Sequence, residues 1–194
     1  MPSDHSIRVV FGLGNPGLEH SRQRHNAGYW FADALAEQIG VRFSPESRLN
    51  AEVAKAAGGL LLVKPTTYMN RSGLAISALL NYYKIEPAEA LVAHDELDLA
   101  PGVARLKFDG GHGGQNGLRD IIAQLGHGRF HRLRIGIGHP GHKDQVTPWV
   151  LGRPSVADEH AIRDSIGAAL AVFPLCREGE MARAMTLLHT PPKQ

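Results

Sequence analysis

Apolar residues recur along the chain at two spacings, and the change from one to the other marks out the elements. Residues 7–13 (IRVVFGL) form a short β-branched run ending in glycine, the pattern of a buried strand entering a turn. Phe31, Leu35 and Ile39 then recur at four-residue steps, the stripe of an amphipathic helix, and Gly40 stands where such a helix stops. Residues 51–56 and 60–64 read as two short strands separated by Gly58 and Gly59, which predicts a hairpin. Residues 74–83 (LAISALLNYY) predict a helix, 91–93 (LVA) a short strand delivering His94, Asp95 and Glu96 to its end, and 103–108 (VARLKF) an alternating strand. Leu118, Ile121, Ile122 and Leu125 share one helical face before residues 133–137 (LRIGI) return to strand.

The remainder of the chain has a different texture. Residues 138–154 are rich in Gly and Pro and read as a mobile flap. Ser155 with Asp158 three residues on resembles a capping-box start, and Ile162, Ile166, Ala169, Leu170 and Phe173 form an apolar stripe, followed by a terminal helix over 182–189. Strands interleaved with helices predict an α/β layer structure, and the hairpin makes its sheet mixed. With 194 residues and no visible repeat or linker, one domain over 1–194 is expected.

Composition narrows the classes. Forty-three per cent apolar residues can supply a core without disulfides or metals, and the single cysteine, Cys176, rules out an internal disulfide and any multi-cysteine zinc site. Cys176 is expected to be packed, and a reducing, cytoplasmic location fits. The first ten residues carry Asp4, His5 and Arg8, and apolar runs such as residues 60–63 are too short for a bilayer, so neither secretion nor membrane insertion is expected. The balance of 21 basic against 19 acidic residues makes no polycation. Local groups stand out instead: Arg22 with Arg24, Arg105 with Lys107, and Arg129, Arg132 and Arg134 around His131. Such patches suit a phosphate-bearing partner touched at a few points.

Residues 12–17 (GLGNPG) match G-x-G-x-x-G after a strand, but Pro16 holds Asn15 extended, the helical stripe starts only near Phe31, and no acidic residue ends a second strand at the required distance. Dinucleotide binding is therefore disfavoured. Polar groups do gather after predicted strands: Asn15 after the first, Tyr68 and Asn70 after 60–64, Asp95 after 91–93, and Asn116 within GGHGGQNG at 110–117, with His25 close behind the first turn. One imidazole, one carboxylate and three carboxamides suit acyl transfer, because imidazole takes a proton near neutrality, a carboxylate holds its tautomer, and carboxamides polarise carbonyls without adding charge. No G-x-S-x-G elbow or H-E-x-x-H motif is present, His139 and His142 make a weak metal pair, and His94 and His112 read as structural. Water is then the natural nucleophile.

In six ordered blocks the chain resembles the bacterial peptidyl-tRNA hydrolases: GLGNPG at 12–17, RHNAG at 24–28, KPTTYMNRSG at 64–73, HDELDLAPG at 94–102, GGHGGQNGLRDI at 110–121 and FHRLRIGIGHP at 130–140. The resemblance implies a cofactor-free, metal-free, monomeric esterase on a twisted mixed β-sheet flanked by helices, cleaving the ester between peptide and tRNA in peptidyl-tRNA and so recycling tRNA. It implies His25 as general base, Asp95 as its supporting carboxylate and Asn15 as the residue that tells N-blocked from free aminoacyl groups. Tyr68, Asn70 and Asn116 would touch tRNA or the peptidyl ester, and Lys107 and Arg134 the tRNA 5′ phosphate. Two positions depart from the family's pattern: His20 stands where Tyr is usual, leaving a substrate contact changed, and Gln23 where Thr is usual. Relatives that bind RNA without hydrolysis supply a rival reading, which the retained His25 and Asp95 disfavour.

Overall fold

A computed structural model describes residues 5–190, so four residues at each end of the expected domain, Asp4 among them, lie outside it. The chain runs β1 (Val9–Gly12), α1 (Ala27–Ile39), β2 (Ser44–Glu46), β3 (Ala51–Lys55), β4 (Leu61–Pro65), α2 (Ser72–Tyr83), β5 (Ala90–Glu96), β6 (Ala104–Phe108), α3 (Asn116–Leu125), β7 (His131–Gly136), α4 (Val146–Val150), α5 (Val156–Arg177) and α6 (Met181–His189). One seven-stranded sheet has the order β2-β3-β4-β1-β5-β7-β6. Its centre, β4-β1-β5-β7, is parallel, and both edges pair antiparallel.

Side chains alternate across this sheet with a period of two, and helices cover both faces. Val10, Leu62, Leu91, Ala93, Leu133 and Ile135 pack towards Trp30, Phe31 and Leu35 of α1 and Ile162, Ile166 and Phe173 of α5. Val9, Phe11, Leu61, Val63 and Val92 pack the other way, with Ile76 and Leu79 of α2 and Leu118 and Ile121 of α3. Burial on two sides explains why the central strands read as continuous apolar runs. The expected hairpin is present as β3 and β4, turning at Gly58 and Gly59 with φ of 74° and 79°. Gly40 ends α1 in the left-handed conformation, φ 74°.

Three features differ from the sequence reading. β5 runs through Glu96, so His94 and Asp95 lie inside the sheet, 1% and 3% exposed, instead of beyond a strand end. β2 is an additional edge strand whose Pro45 sits where a missing amide does little harm. The segment 138–154 contains the short helix α4, which accommodates Pro148 at its third residue, where the amide lacks an intrahelical partner anyway. This stretch is fastened down. The Trp149 indole donates to the Gly138 carbonyl at 2.9 Å, and the Arg24 guanidinium lies 3.5 Å from the Trp149 ring while donating to its carbonyl at 3.0 Å. Cys176 is buried in α5, and burial pushes its thiol up to about 12. Among the described residues, no helix is long and apolar enough to cross a membrane.

Candidate active site

The start of α1 is brought against the middle of the sheet by the absence of a side chain at Gly28, where a Cβ would meet the Ala93 carbonyl oxygen at 2.3 Å and the Leu13 amide nitrogen at 2.5 Å. This approach carries the helical turn Arg24–Asn26 to β5. His25 Nδ1 then donates to Asp95 Oδ2 at 2.8 Å, both residues buried. The other carboxylate oxygen, Oδ1, accepts from Gln115 Nε2 at 2.9 Å. Burial by itself would lower the His25 pKa, but the charge of Asp95 and its hydrogen bond outweigh that and leave the imidazole above its ordinary value. For Asp95 burial works upward, and the His25 charge and hydrogen bond, with the Gln115 donor, carry it below the usual carboxylate range.

Asn15 is held from two sides. Its backbone N–H donates to Asn26 Oδ1 at 2.8 Å and its carbonyl accepts from Asn26 Nδ2 at 3.0 Å, which fastens the GLGNPG turn to the start of α1. Its own Oδ1 accepts from the Met69 amide at 2.7 Å, so the side-chain NH2 remains as a donor. Asn15, His25, Asp95, Tyr68, Asn70 and Asn116 all line one cavity of about 630 Å³, walled on one side by Val146, Val150 and Leu151 at α4. Carboxamides, an imidazole–carboxylate pair and an apolar wall together can hold a polar acyl group beside an activated water.

Lys107 and Arg134 lie elsewhere, in a cavity of about 280 Å³ shared with His94, Glu96, Asp98, His112 and Arg132. Pairing of β6 with β7 sets Lys107 opposite Arg132 and Arg105 opposite Arg134, like charges that repel without an anion nearby. Arg134 bonds Glu96 Oε1 at 2.8 Å, and buried Arg132 donates to the carbonyls of Gly110, Gly111 and Gly128. His20 is not among the residues lining either cavity. Its Nδ1 meets Gln23 Oε1 at 3.0 Å, so the two unusual positions touch each other, and its ring lies edge-on to Tyr68 with centroids 6.3 Å apart. His94 Nδ1 donates to the Asp95 carbonyl at 2.8 Å and His139 Nδ1 accepts from the Gly141 amide at 2.9 Å, both local contacts.

Sequence reasoning missed Asn26 and Gln115, and it placed Arg24 and Arg132 in phosphate-suited patches where the structure has Arg24 on Trp149 and Arg132 on backbone carbonyls. Gln115 carried a signal, since it directly precedes the α3 stripe where a capping side chain belongs; it accepts from the Leu118 amide at 2.8 Å.

A mixed α/β sheet with a parallel centre, covered on both faces, with an imidazole–carboxylate pair and converging carboxamides near the ends of its strands, is an arrangement suited to acyl chemistry. Residues 9–194 match the family model described as peptidyl-tRNA hydrolase. The chain is 60% identical over 191 residues to a peptidyl-tRNA hydrolase of Xanthomonas campestris pv. campestris (strain 8004), covering 97% of this chain and 99% of that protein. It is 60% identical over 188 residues to that of Stenotrophomonas maltophilia (strain R551-3), covering 95% and 98%. The crystal structure of peptidyl-tRNA hydrolase from Acinetobacter baumannii superposes with a TM-score of 0.92 at 41% identity, over 98% of this chain and 97% of that one. The chain belongs to the peptidyl-tRNA hydrolase family and is a hydrolase.

Proposed function

We propose that the protein hydrolyses the ester joining a peptide to the 3′ ribose of tRNA, with His25 as general base, and so returns tRNA to translation. The observation that carries this reading is the 2.8 Å bond from His25 Nδ1 to buried Asp95, at a cavity lined by Asn15, Asn70 and Asn116. A carboxylate can only accept, so Nδ1 carries the proton and Nε2 keeps the lone pair that removes one from water. Hydroxide-like oxygen bonds to the ester carbon, carboxamide N–H groups stabilise the oxyanion, and the imidazolium returns its proton to the ribose oxygen as the C–O bond breaks.

The Asn15 NH2 is suited to bind a peptide carbonyl that a free aminoacyl group lacks. Tyr68, with His20 at its edge, offers ring surface to a terminal nucleotide. Lys107 and Arg134 supply an electrostatic hold on a 5′ phosphate, with Lys107 opposite Arg132 across β6 and β7 and Arg134 shared with Glu96. The test is turnover of N-acetylated aminoacyl-tRNA by purified protein with EDTA present. His25→Ala is expected to lower turnover by about 100- to 10,000-fold while tRNA affinity stays nearly unchanged. Tight binding without cleavage by the unaltered protein, or near-normal turnover in the variant, would overturn the reading.

A further inference from the structure

Asp95 has two oxygens to satisfy, and His25 serves only one. At 3% exposure, the remaining Oδ1 would be a buried ionised acceptor without water, a costly state unless a donor reaches it. Gln115 is that donor, through Nε2 at 2.9 Å. Its amide cannot turn over cheaply, because Oε1 is engaged by the Leu118 amide at the start of α3, at 2.8 Å. The helix terminus therefore sets which end of the carboxamide faces Asp95. A neutral donor also suits the place, since a cation would compete with His25 for the Asp95 charge.

We infer that Gln115 is a positioning residue for hydrolysis: anchored on the N-terminus of α3, it holds Asp95 so that the carboxylate faces His25 Nδ1. The inference rests on the proposed roles of His25 and Asp95. Gln115→Glu separates this function from simple helix capping. A carboxylate still accepts from the Leu118 amide and suits a helix N-terminus, but it offers Asp95 an oxygen in place of a donor.

The variant is expected to keep its far-ultraviolet circular dichroism, with an unfolding midpoint lowered by the unpaired Asp95 oxygen, while kcat on N-acetylated aminoacyl-tRNA falls about tenfold or more. The added negative charge favours protonated His25, so the acidic limb of the pH–rate profile moves to higher pH.

An Asp95→Asn background reverses the sign. With Gln115 intact, the new carboxamide must accept from Gln115 and therefore turn its NH2 towards His25, imposing the wrong imidazole tautomer. Adding Gln115→Glu lets that carboxamide turn over, and activity rises relative to Asp95→Asn alone. If Gln115→Glu does not fold, Gln115→Met removes the donor without adding charge, and the same fall in kcat at unchanged KM is expected. Wild-type kcat and pH profile in the folded variant, or a change confined to KM, would overturn the inference. His25→Ala assayed alongside tells the two failures apart: if it is inactive while Gln115→Glu is normal, only the role of Gln115 is lost, and if it is active the base assignment itself falls.

Discussion

Proton affinity at His25 is set by opposed consequences of one location. Enclosure strips water from the imidazole and disfavours its cation, whereas the Asp95 charge and hydrogen bond favour it more strongly, and the net pKa lies above the ordinary imidazole value of 6.5. A general base works only when unprotonated. The proposed mechanism therefore predicts that kcat/KM, corrected for spontaneous ester hydrolysis, rises with pH through a midpoint above 6.5; a midpoint below that would contradict the pairing. Stability runs against activity. The raised His25 contributes stability that is complete below its unfolded pKa and is lost as pH rises through its folded one, while the lowered Asp95 contributes stability above its unfolded pKa that is lost as pH falls through its folded one. The pair is most cohesive as an ion pair and catalytically competent once that ion pair has lost its proton. Much at this scale was legible beforehand, because Asn15, Asn70, Asp95 and Asn116 carry polar groups after predicted strands, His25 follows the first turn, and all five share a cavity. The capping position of Gln115 was legible, but its bond to Asp95 and that of Asn26 to Asn15 were not, since each partner is distant in sequence.

Elements deliver those side chains only if backbones approach closely, and α1 meets β1 and β5 at Gly28 with no space for a methyl group. Gly28→Ala would drive a Cβ into the Ala93 and Leu13 backbones, which cannot rotate away as a flexible side chain could. The expected cost is about 3 kcal/mol, read from denaturant midpoints, and any folded fraction should lose turnover because the Arg24–Asn26 turn moves off Asp95. Gly167→Ala provides the contrast. Nothing lies within 4 Å of its Cβ position in α5, so stability should rise by up to about 1 kcal/mol. The helices α2, α3 and α5 and the hairpin could be read from periodicity and glycine placement. The full length of β5 could not, because His94 and Asp95 interrupt its apolar run although the sheet buries both. Nor could α4, whose Pro and flanking glycines imitate a loop and whose anchorage depends on Arg24, more than a hundred residues earlier. Strand order was hidden for the same reason: β1 lies between β4 and β5, and local sequence does not encode that neighbourhood.

At the scale of the whole molecule, the buried histidines contribute to the response to acid. Burial drives the His131 pKa down to about 4, with His5 adding to the effect, and lowers that of His94. His131 packs its ring 4.6 Å from Phe108, and both residues lie in paired strands of the sheet. Between pH 6.5 and about 4 the unfolded chain takes up a proton at this position that the folded chain refuses, so stability falls with pH over that window. His94 acts with the same sign, whereas His25 acts with the opposite sign and offsets part of the loss. The His131 share should be on the order of 2 kcal/mol, measurable as a declining urea midpoint from neutrality to the bottom of that window. His131→Phe, which keeps a ring against Phe108 and removes the titrating group, should flatten the decline. An equal slope in that variant would place the acid sensitivity elsewhere, with His94 the next buried imidazole to replace.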